Sequence, residues 1–310
     1  LREAMFSFII RRLAVAVPTI LALITVSFVL MHAAPGGPFT NERNVPEAVM
    51  ENIEAKYNLD KPLWQQYLIY VGNVAQGDLG PSFRYKDFTV NELIESSFPR
   101  SAYIGAWSFL FVVVFGVGLG VIAALKQNRW PDYTVMTAAM TGVVFPNFVM
   151  APLLVLLFAV TLRWLPAGGW EGGQVEYIVL PIIAMATSYI AQVARITRSS
   201  MIETLRSPFI RTARAKGIPR HKIVLRHALK PALIPVVSYL GPAFVGIITG
   251  SVIIDQVFST GGIGQHFVNG AINRDYSLIL GVTILVGVLT IVFNVAVDIL
   301  YTWLDPRVRY

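Results

Sequence analysis

The chain has 310 residues, of which 55% are hydrophobic and only 14% charged, with a formal net charge of +7 and no cysteine. Its mean hydropathy is +0.61, which indicates a polytopic membrane protein, since soluble domains run near about 25% charged. The missing cysteines exclude disulfides and thiolate chemistry, the four scattered histidines (His32, His221, His227, His266) have no metal-ligand spacing, and the basic excess sits in loops between apolar segments, which favours topology over nucleic acid.

Leu1–Ala4 precede Met5 and read as an upstream remnant. A bilayer core of about 30 Å takes about 20 helical residues, and six apolar segments qualify: Leu13–His32, Ser101–Leu125, Tyr133–Leu162, Tyr177–Arg198, Leu233–Gln256 and Ser277–Trp303. The first has no small-residue cleavage site ahead of Pro35-Gly36-Gly37 and is expected to remain as a span. The third contains Pro146 and Pro152. It is read as one kinked, tilted helix, because splitting it leaves pieces too short to cross and puts the basic loop on the opposite side from the N-terminus. With six spans both termini share the side that carries Arg11, Arg12, Lys126, Arg129, the long basic loop, Arg307 and Arg309. That side is expected to be cytoplasmic.

The outer loop, Ala33–Arg100, is patterned as helices. Asn44 with Glu47 suits a capping box followed by Val49, Ile53 and Tyr57 on one face. Lys61-Pro62 opens a second helix with Trp64, Leu68, Val71 and Ala75 at helical intervals, stopped by Gly77-Asp78-Leu79-Gly80. Thr89 with Glu92 makes another box leading into the second span. These helices are expected to pack over the bundle, with lying on the lipid surface or receiving a soluble partner as the alternatives. Gly116, Gly118 and Gly120 in the second span and Gly241, Gly246 and Gly250 in the fifth suit close helix packing. Asp298, one turn after Asn294, is the clearest ionisable group within a span, either pairing with a loop arginine or acting as a relay. Asn147, Ser188, Tyr189 and Gln192 are polar candidates for a substrate pathway, and each can equally bridge helices.

Arg195–Lys230 carries ten Lys/Arg and one acid, Glu203. Ser207-Pro208 reads as N-cap and first turn of a helix to about Lys216, ended by Gly217 and kept from continuing by Pro219. Ala213 and Gly217, four apart, suggest a small-residue face with Arg211 and Arg214 as basic flanks, fit for the groove of another protein. A second short helix is expected over His221–Leu229. Lying against anionic head groups is the alternative for the loop.

Arg211-Thr212-Ala213-Arg214-Ala215-Lys216-Gly217, with His227-Ala228-Leu229 and Pro235 downstream, resembles the loop by which ATP-binding-cassette importer permeases engage their ATPases, in the form usual for the peptide-importer branch. The wider family has Glu-Ala-Ala, three residues, Gly; Arg211 stands here where that acid would be. Phe8-Ile9-Ile10-Arg11-Arg12, Ala34-Pro35-Gly36-Gly37-Pro38, Gly77-Asp78-Leu79-Gly80-Pro81-Ser82 and Asp305-Pro306-Arg307-Val308-Arg309-Tyr310 extend the resemblance over almost the whole chain. Phe258 with Gly262 and Gly264 resembles the periplasmic turn after the fifth span, where the family more often has Glu at Asp255 and Pro at Gly261.

The resemblance is nearest to oligopeptide permeases, with a dipeptide or other small-solute importer, for example of nickel, as the alternative. It implies an all-α, type I importer permease fold in the bacterial inner membrane. Residues 1–32 would form the N-terminal segment and first span, 33–93 the periplasmic helical loop, 94–303 the transmembrane domain with its coupling loop at 199–232, and 304–310 a cytoplasmic tail. It also implies a second homologous permease subunit, two ATPase subunits that use ATP and Mg, a periplasmic peptide-binding protein and a peptide substrate. This chain has no Gly-x-x-x-x-Gly-Lys-Ser/Thr phosphate loop and no cofactor of its own is expected. An intramembrane enzyme lacks the motifs it needs, such as Gly-x-Ser-x-Gly or His-Glu-x-x-His. A non-transporting scaffold is the remaining competitor.

Overall fold

A computed structural model describes residues 2–33, 55, 57–249 and 252–304, with side chains for 14–33, 55, 57–249 and 252–297. The expected capping box at Asn44, the helix through Ile53, Gly250, the Asp298 side chain and the Asp305–Tyr310 motif lie outside the described residues. In chain order the helices are α1 (Arg2–Ala33), α2 (Leu63–Ala75), α3 (Val90–Leu125), α4 (Trp130–Val144), α5 (Asn147–Thr161), α6 (Val175–Arg206), α7 (Pro208–Ala215), α8 (Arg220–Ala232), α9 (Ile234–Ile248), α10 (Val252–Phe258), α11 (Ile263–Asn273) and α12 (Tyr276–Leu304). Among the described residues an isolated antiparallel bridge joins Pro81 to Thr89. Among the described residues four helices are long and apolar enough to cross a bilayer, or up to six if each of the bent pairs α4–α5 and α8–α9 is one span.

The third span differs from the expected single kinked helix: α4 and α5 meet at 104°. Proline chemistry accounts for the break. Pro146 clashes with a helical residue before it, so Phe145 is extended (φ −93°, ψ 110°) and Pro146 starts a new helix from φ −57°, ψ 151°. The second pair bends by 54° at Leu233.

The described helices fall into two compact units, Leu1–Pro99 with Gly262–Ile291, and Arg100–Gly261 with Val292–Tyr310. In the second unit α6 is the central element, with Leu180, Met185, Ala191, Val193, Ala194 and Met201 all buried. The C-terminal part of α3 packs along it, as do α4 and α9. Close approach needs glycine at the contact. A Cβ on Gly120 would stand 2.6 Å from the Ala194 carbonyl, and one on Gly116 would stand 2.7 Å from Val193 Cβ. Gly118, by contrast, faces open space. Asp132, at the start of α4, is 1% exposed, accepts both Arg198 Nε and Nη2 at 2.6 Å, and accepts the Asn128 amide at 2.9 Å. Val114, Phe115, Leu156 and Val160 point outward, as helices solvated by lipid require. Trp130 and Trp164 are exposed at helix ends, where interfacial indoles are favoured.

In the first unit α2 packs on α1: the Thr25 and Tyr67 hydroxyls lie 2.7 Å apart and Phe28 meets the Tyr67 ring edge-on. α2 thus touches α1 through Tyr67, but the apolar face expected from sequence is not buried: Trp64 is 62% and Leu68 58% exposed. Thr89 and Glu92 form the expected reciprocal box, Thr89 N–H to Glu92 Oε2 at 2.8 Å and Glu92 N–H to Thr89 Oγ1 at 3.2 Å. Buried Asp275 ties down the loop before it, accepting the Ser82 hydroxyl and the amides of Phe83 (3.1 Å) and Arg84 (3.2 Å), while also capping α12 through the Leu278 amide (3.2 Å). Burial and the neighbouring Asp275 and Asp87 carboxylates push the Tyr57 phenol above its usual range, and burial alone does so for Tyr70.

Candidate functional site

The chain leaves α6 at Ser207, whose backbone is extended (φ −65°, ψ 153°), and Pro208 takes the first position of α7. Ser207 occupies the N-cap position, but its hydroxyl donates back to the Thr204 carbonyl at 2.6 Å instead of receiving an α7 amide. The far end of α7 closes as a Schellman motif. Gly217 has φ +73°, its N–H bonds the Arg214 carbonyl at 2.9 Å, and the Ile218 N–H bonds the Ala213 carbonyl at 3.3 Å. Ile218 and Ala213 meet in the same apolar cluster, which completes the motif's hydrophobic contact. Pro219 then begins the approach to α8.

One face of α7 is buried. Ile210 (0% exposed) and Ala213 (7%) pack with Met201 of α6, Ala124 of α3, and Ile223, Val224 and Ala228 of α8. The sequence suggested a small-residue face made by Ala213 and Gly217. Ala213 instead points inward, and the outward surface comprises half-exposed Phe209 with Arg211, Thr212, Arg214, Ala215, Lys216 and Gly217. Beside this helix an open cavity of about 660 Å³ is lined by Lys126, Arg129, Arg214 and Arg220 over an apolar floor that includes Leu205 and Ile223. The elbow is therefore a cationic surface whose backbone is locked to the ends of α3, α6 and α8.

Further along α6, Ser188, Gln192, Arg195 and Ser199 follow one another at intervals of four, three and four and share a face that is half-buried to exposed. Ser188 Oγ donates to Asn147 Oδ1 at 3.1 Å, tying α5 to α6, and Arg195 Nη2 donates to Gln192 Oε1. Tyr189 reaches toward α9, where a Cβ on Gly246 would stand 2.9 Å from its hydroxyl. Tyr239 of α9 lies within electrostatic reach of both Tyr189 and Arg195. The four polar residues singled out from sequence thus gather at α5, α6 and α9, joined by Arg195 and Tyr239.

A profile of the family described as binding-protein-dependent transport system inner membrane component matches residues 116–310, and the profile of its N-terminal part matches residues 5–101. The chain belongs to this family. It is 62% identical over 307 residues to the oligopeptide transport system permease protein OppB of Salmonella typhimurium, covering 99% of this chain and 100% of the relative. It is 58% identical over 307 residues to OppB of Haemophilus influenzae, again covering 99% of this chain and 100% of the relative. Against the dipeptide transport system permease protein DppB of Bacillus subtilis the identity is 42% over 305 residues, 98% of each chain. Among solved structures, an inward-facing MetNI methionine ABC transporter aligns with TM-score 0.59 at 18% identity, over 69% of this chain and 96% of that one. This last likeness concerns the fold alone. The transport component is thus a multi-pass inner-membrane protein and a permease subunit, not an enzyme.

The remaining sequence candidates separate. Phe258 is fully buried in the second unit, where its carbonyl accepts the Gly169 amide at 2.7 Å. Gly262 and Gly264 are buried in the first unit, at the start of α11. The chain is helical over Ile263–Asn273. Sequence reasoning missed Asp132 as the partner of Arg198, and Asp275; both sit at helix starts, where an acid is a common local choice, but their partners are remote in the chain.

Proposed function

We propose that this chain is the permease subunit through which an ATP-driven importer carries oligopeptides across the bacterial inner membrane. The observation that carries the reading is 62% identity over 99% of the chain to a protein described as an oligopeptide permease. In this reading the termini and the α7 elbow are cytoplasmic, α7 docks on one of two ATPase subunits that bind ATP and Mg, and a second homologous permease completes the pathway. A periplasmic binding protein delivers peptide to the opposite face, with Phe258, Gly262 and Gly264 shaping the turn that it approaches.

The mechanical role assigned to α7 follows from how it is fixed. Arg211, Thr212, Arg214, Ala215 and Lys216 offer contacts outward, with Gly217 closing the helix, while Ile210 and Ala213 key it to α6, α3 and α8. Closure of the ATPase pair would displace α7, and a well-packed apolar contact transmits displacement because packed interiors deform little. Arg211, in the place of the wider family's acid, or Arg214 makes the polar contact with the ATPase. Asn147, Ser188, Tyr189 and Gln192 line the pathway.

Reconstitution tests the proposal. The chain, assembled with its second permease and ATPases in proteoliposomes and supplied with loaded binding protein, is expected to accumulate labelled oligopeptide when ATP is present. Assembly and ATP hydrolysis without any peptide uptake would overturn it.

A further inference from the structure

We propose that Arg195, held by Gln192, receives the C-terminal carboxylate of a peptide lying in a furrow between α6 and α9. The inference rests on the peptide-permease reading and deepens it by naming the substrate group that the pathway recognises.

Three observations carry it. The first is the placement of polarity. α6 is a candidate span, yet the face bearing Ser188, Gln192, Arg195 and Ser199 is half-buried to exposed. Arg195 stands near the basic end of that span, and an arginine on a spanning helix faces water or protein in membrane structures. Arg195 lies three residues before Arg198, whose guanidinium is already committed to Asp132. Among the described residues no carboxylate is within ion-pair distance of Arg195.

The second is the neighbouring face of α9. Pro235, Ser238, Pro242 and Gly246 are all exposed and recur at intervals of three and four. Pro242 has no N–H, so the Ser238 carbonyl lacks its α-helical donor and is left as an acceptor. Gly246 adds bare backbone beside the Tyr189 hydroxyl. One wall of the furrow therefore presents an acceptor for a peptide N–H. The other presents donors, from Tyr189 and Gln192, for peptide carbonyls. Neither wall depends on the peptide's side chains.

The third is the geometry of the cation. Gln192 Oε1 takes one guanidinium hydrogen, which fixes the fork and leaves other donors of the five for a planar anion. Arginine pairs with carboxylate through two parallel N–H···O bonds. A free carboxylate at the C-terminus is the one anion that every unmodified linear peptide carries, so recognition there is independent of sequence.

The test uses the complete reconstituted complex with binding protein saturated by one peptide sequence, prepared as free acid and as C-terminal amide. Wild type, Arg195→Gln, Arg195→Lys and Gln192→Ala are compared for uptake, with binding-protein-stimulated ATP hydrolysis as the control for assembly. Wild type is expected to import the free acid faster. Arg195→Gln is expected to lower free-acid uptake about tenfold, equivalent to about 1.4 kcal/mol, and to leave amide uptake within about twofold. Arg195→Lys keeps part of the preference, and Gln192→Ala weakens it. Equal losses for both peptides, as an ion pair to another subunit or a packing role would give, overturn the inference. So does an unchanged free-acid preference in Arg195→Gln, or a wild type that does not discriminate. A wild-type complex that hydrolyses ATP and imports neither peptide would sink the peptide-permease reading itself.

Discussion

Ile210→Ala tests whether α7 works as a rigid lever. The helix has eight residues, and isolated helices shorter than about 12–15 residues are marginal in water, so its place depends on what it packs against. Ile210 is fully buried among Met201, Ile223, Val224 and Ala228, and the other inward residue, Ala213, contributes a single methyl. Removing a buried Ile side chain down to Ala costs about 2–5 kcal/mol. Taking about 3 kcal/mol, the docked-to-undocked ratio of α7 falls by about two powers of ten. Ile210→Val, which loses one methylene at about 0.5–1.5 kcal/mol, should keep most of the function. The assay is peptide imported per ATP hydrolysed in proteoliposomes, alongside amide exchange across residues 208–215. Ile210→Ala is expected to exchange faster there and to lose most import while hydrolysis continues. Faster exchange together with a wild-type ratio of import to hydrolysis would refute the lever.

Gly217 has φ +73° with open space where a side chain would go, so Gly217→Val should act through backbone strain of about 1–2 kcal/mol. Import per ATP should drop, with Gly217→Asn much milder because Asn tolerates the left-handed region; equal effects of the two would point to side-chain contact instead. Asp132→Asn leaves Arg198 without its bidentate partner; breaking a buried pair costs about 3–5 kcal/mol, toward the lower end here because the Arg198 side chain is 27% exposed. The expected reading is a thermal midpoint in detergent lower by several degrees. Asp275→Ala frees the amides of Phe83 and Arg84 and should speed limited proteolysis between Gly77 and Phe88, with α7 exchange unchanged.

What the sequence made legible was local. Proline at the first turn and glycine past the last one delimit α7, and Thr89 with Glu92 marks the start of α3, because each signal is a backbone property of a few adjacent residues. The direction of Ala213 was not legible in the same way. A spacing of four places two residues on one face only while both are helical, and Gly217 lies beyond the helix in the left-handed region. Pro146 announced a disturbance in the third span, but its 104° turn reflects the extended backbone at Phe145 as well as the helices packed around it. Asp132 and Asp275 look from sequence like ordinary acids near helix starts. Their importance comes from Arg198 and from Ser82–Arg84, partners set by tertiary packing that no local pattern records.

α6 joins the elbow to the furrow. No proline interrupts it between Pro181 and Arg206, so the stretch from Ser188 to Arg206 is a single rod about 27 Å long at 1.5 Å per residue. Its basic end carries Met201 in the cluster that seats Ile210, and its other part carries Gln192 and Arg195. Gly116 and Gly120 let α3 sit so close to Val193, Ala194 and Thr197 that the two helices cannot slide past each other without steric overlap. In the proposed mechanism a push on α7 is passed to α3 and α6 and, through Ile223, Val224 and Ala228, to α8. If that push tilts α6 against α9, Arg195 moves relative to α9, and the proposed mechanism then loosens the grip on the peptide's carboxylate in the same stroke that opens the pathway.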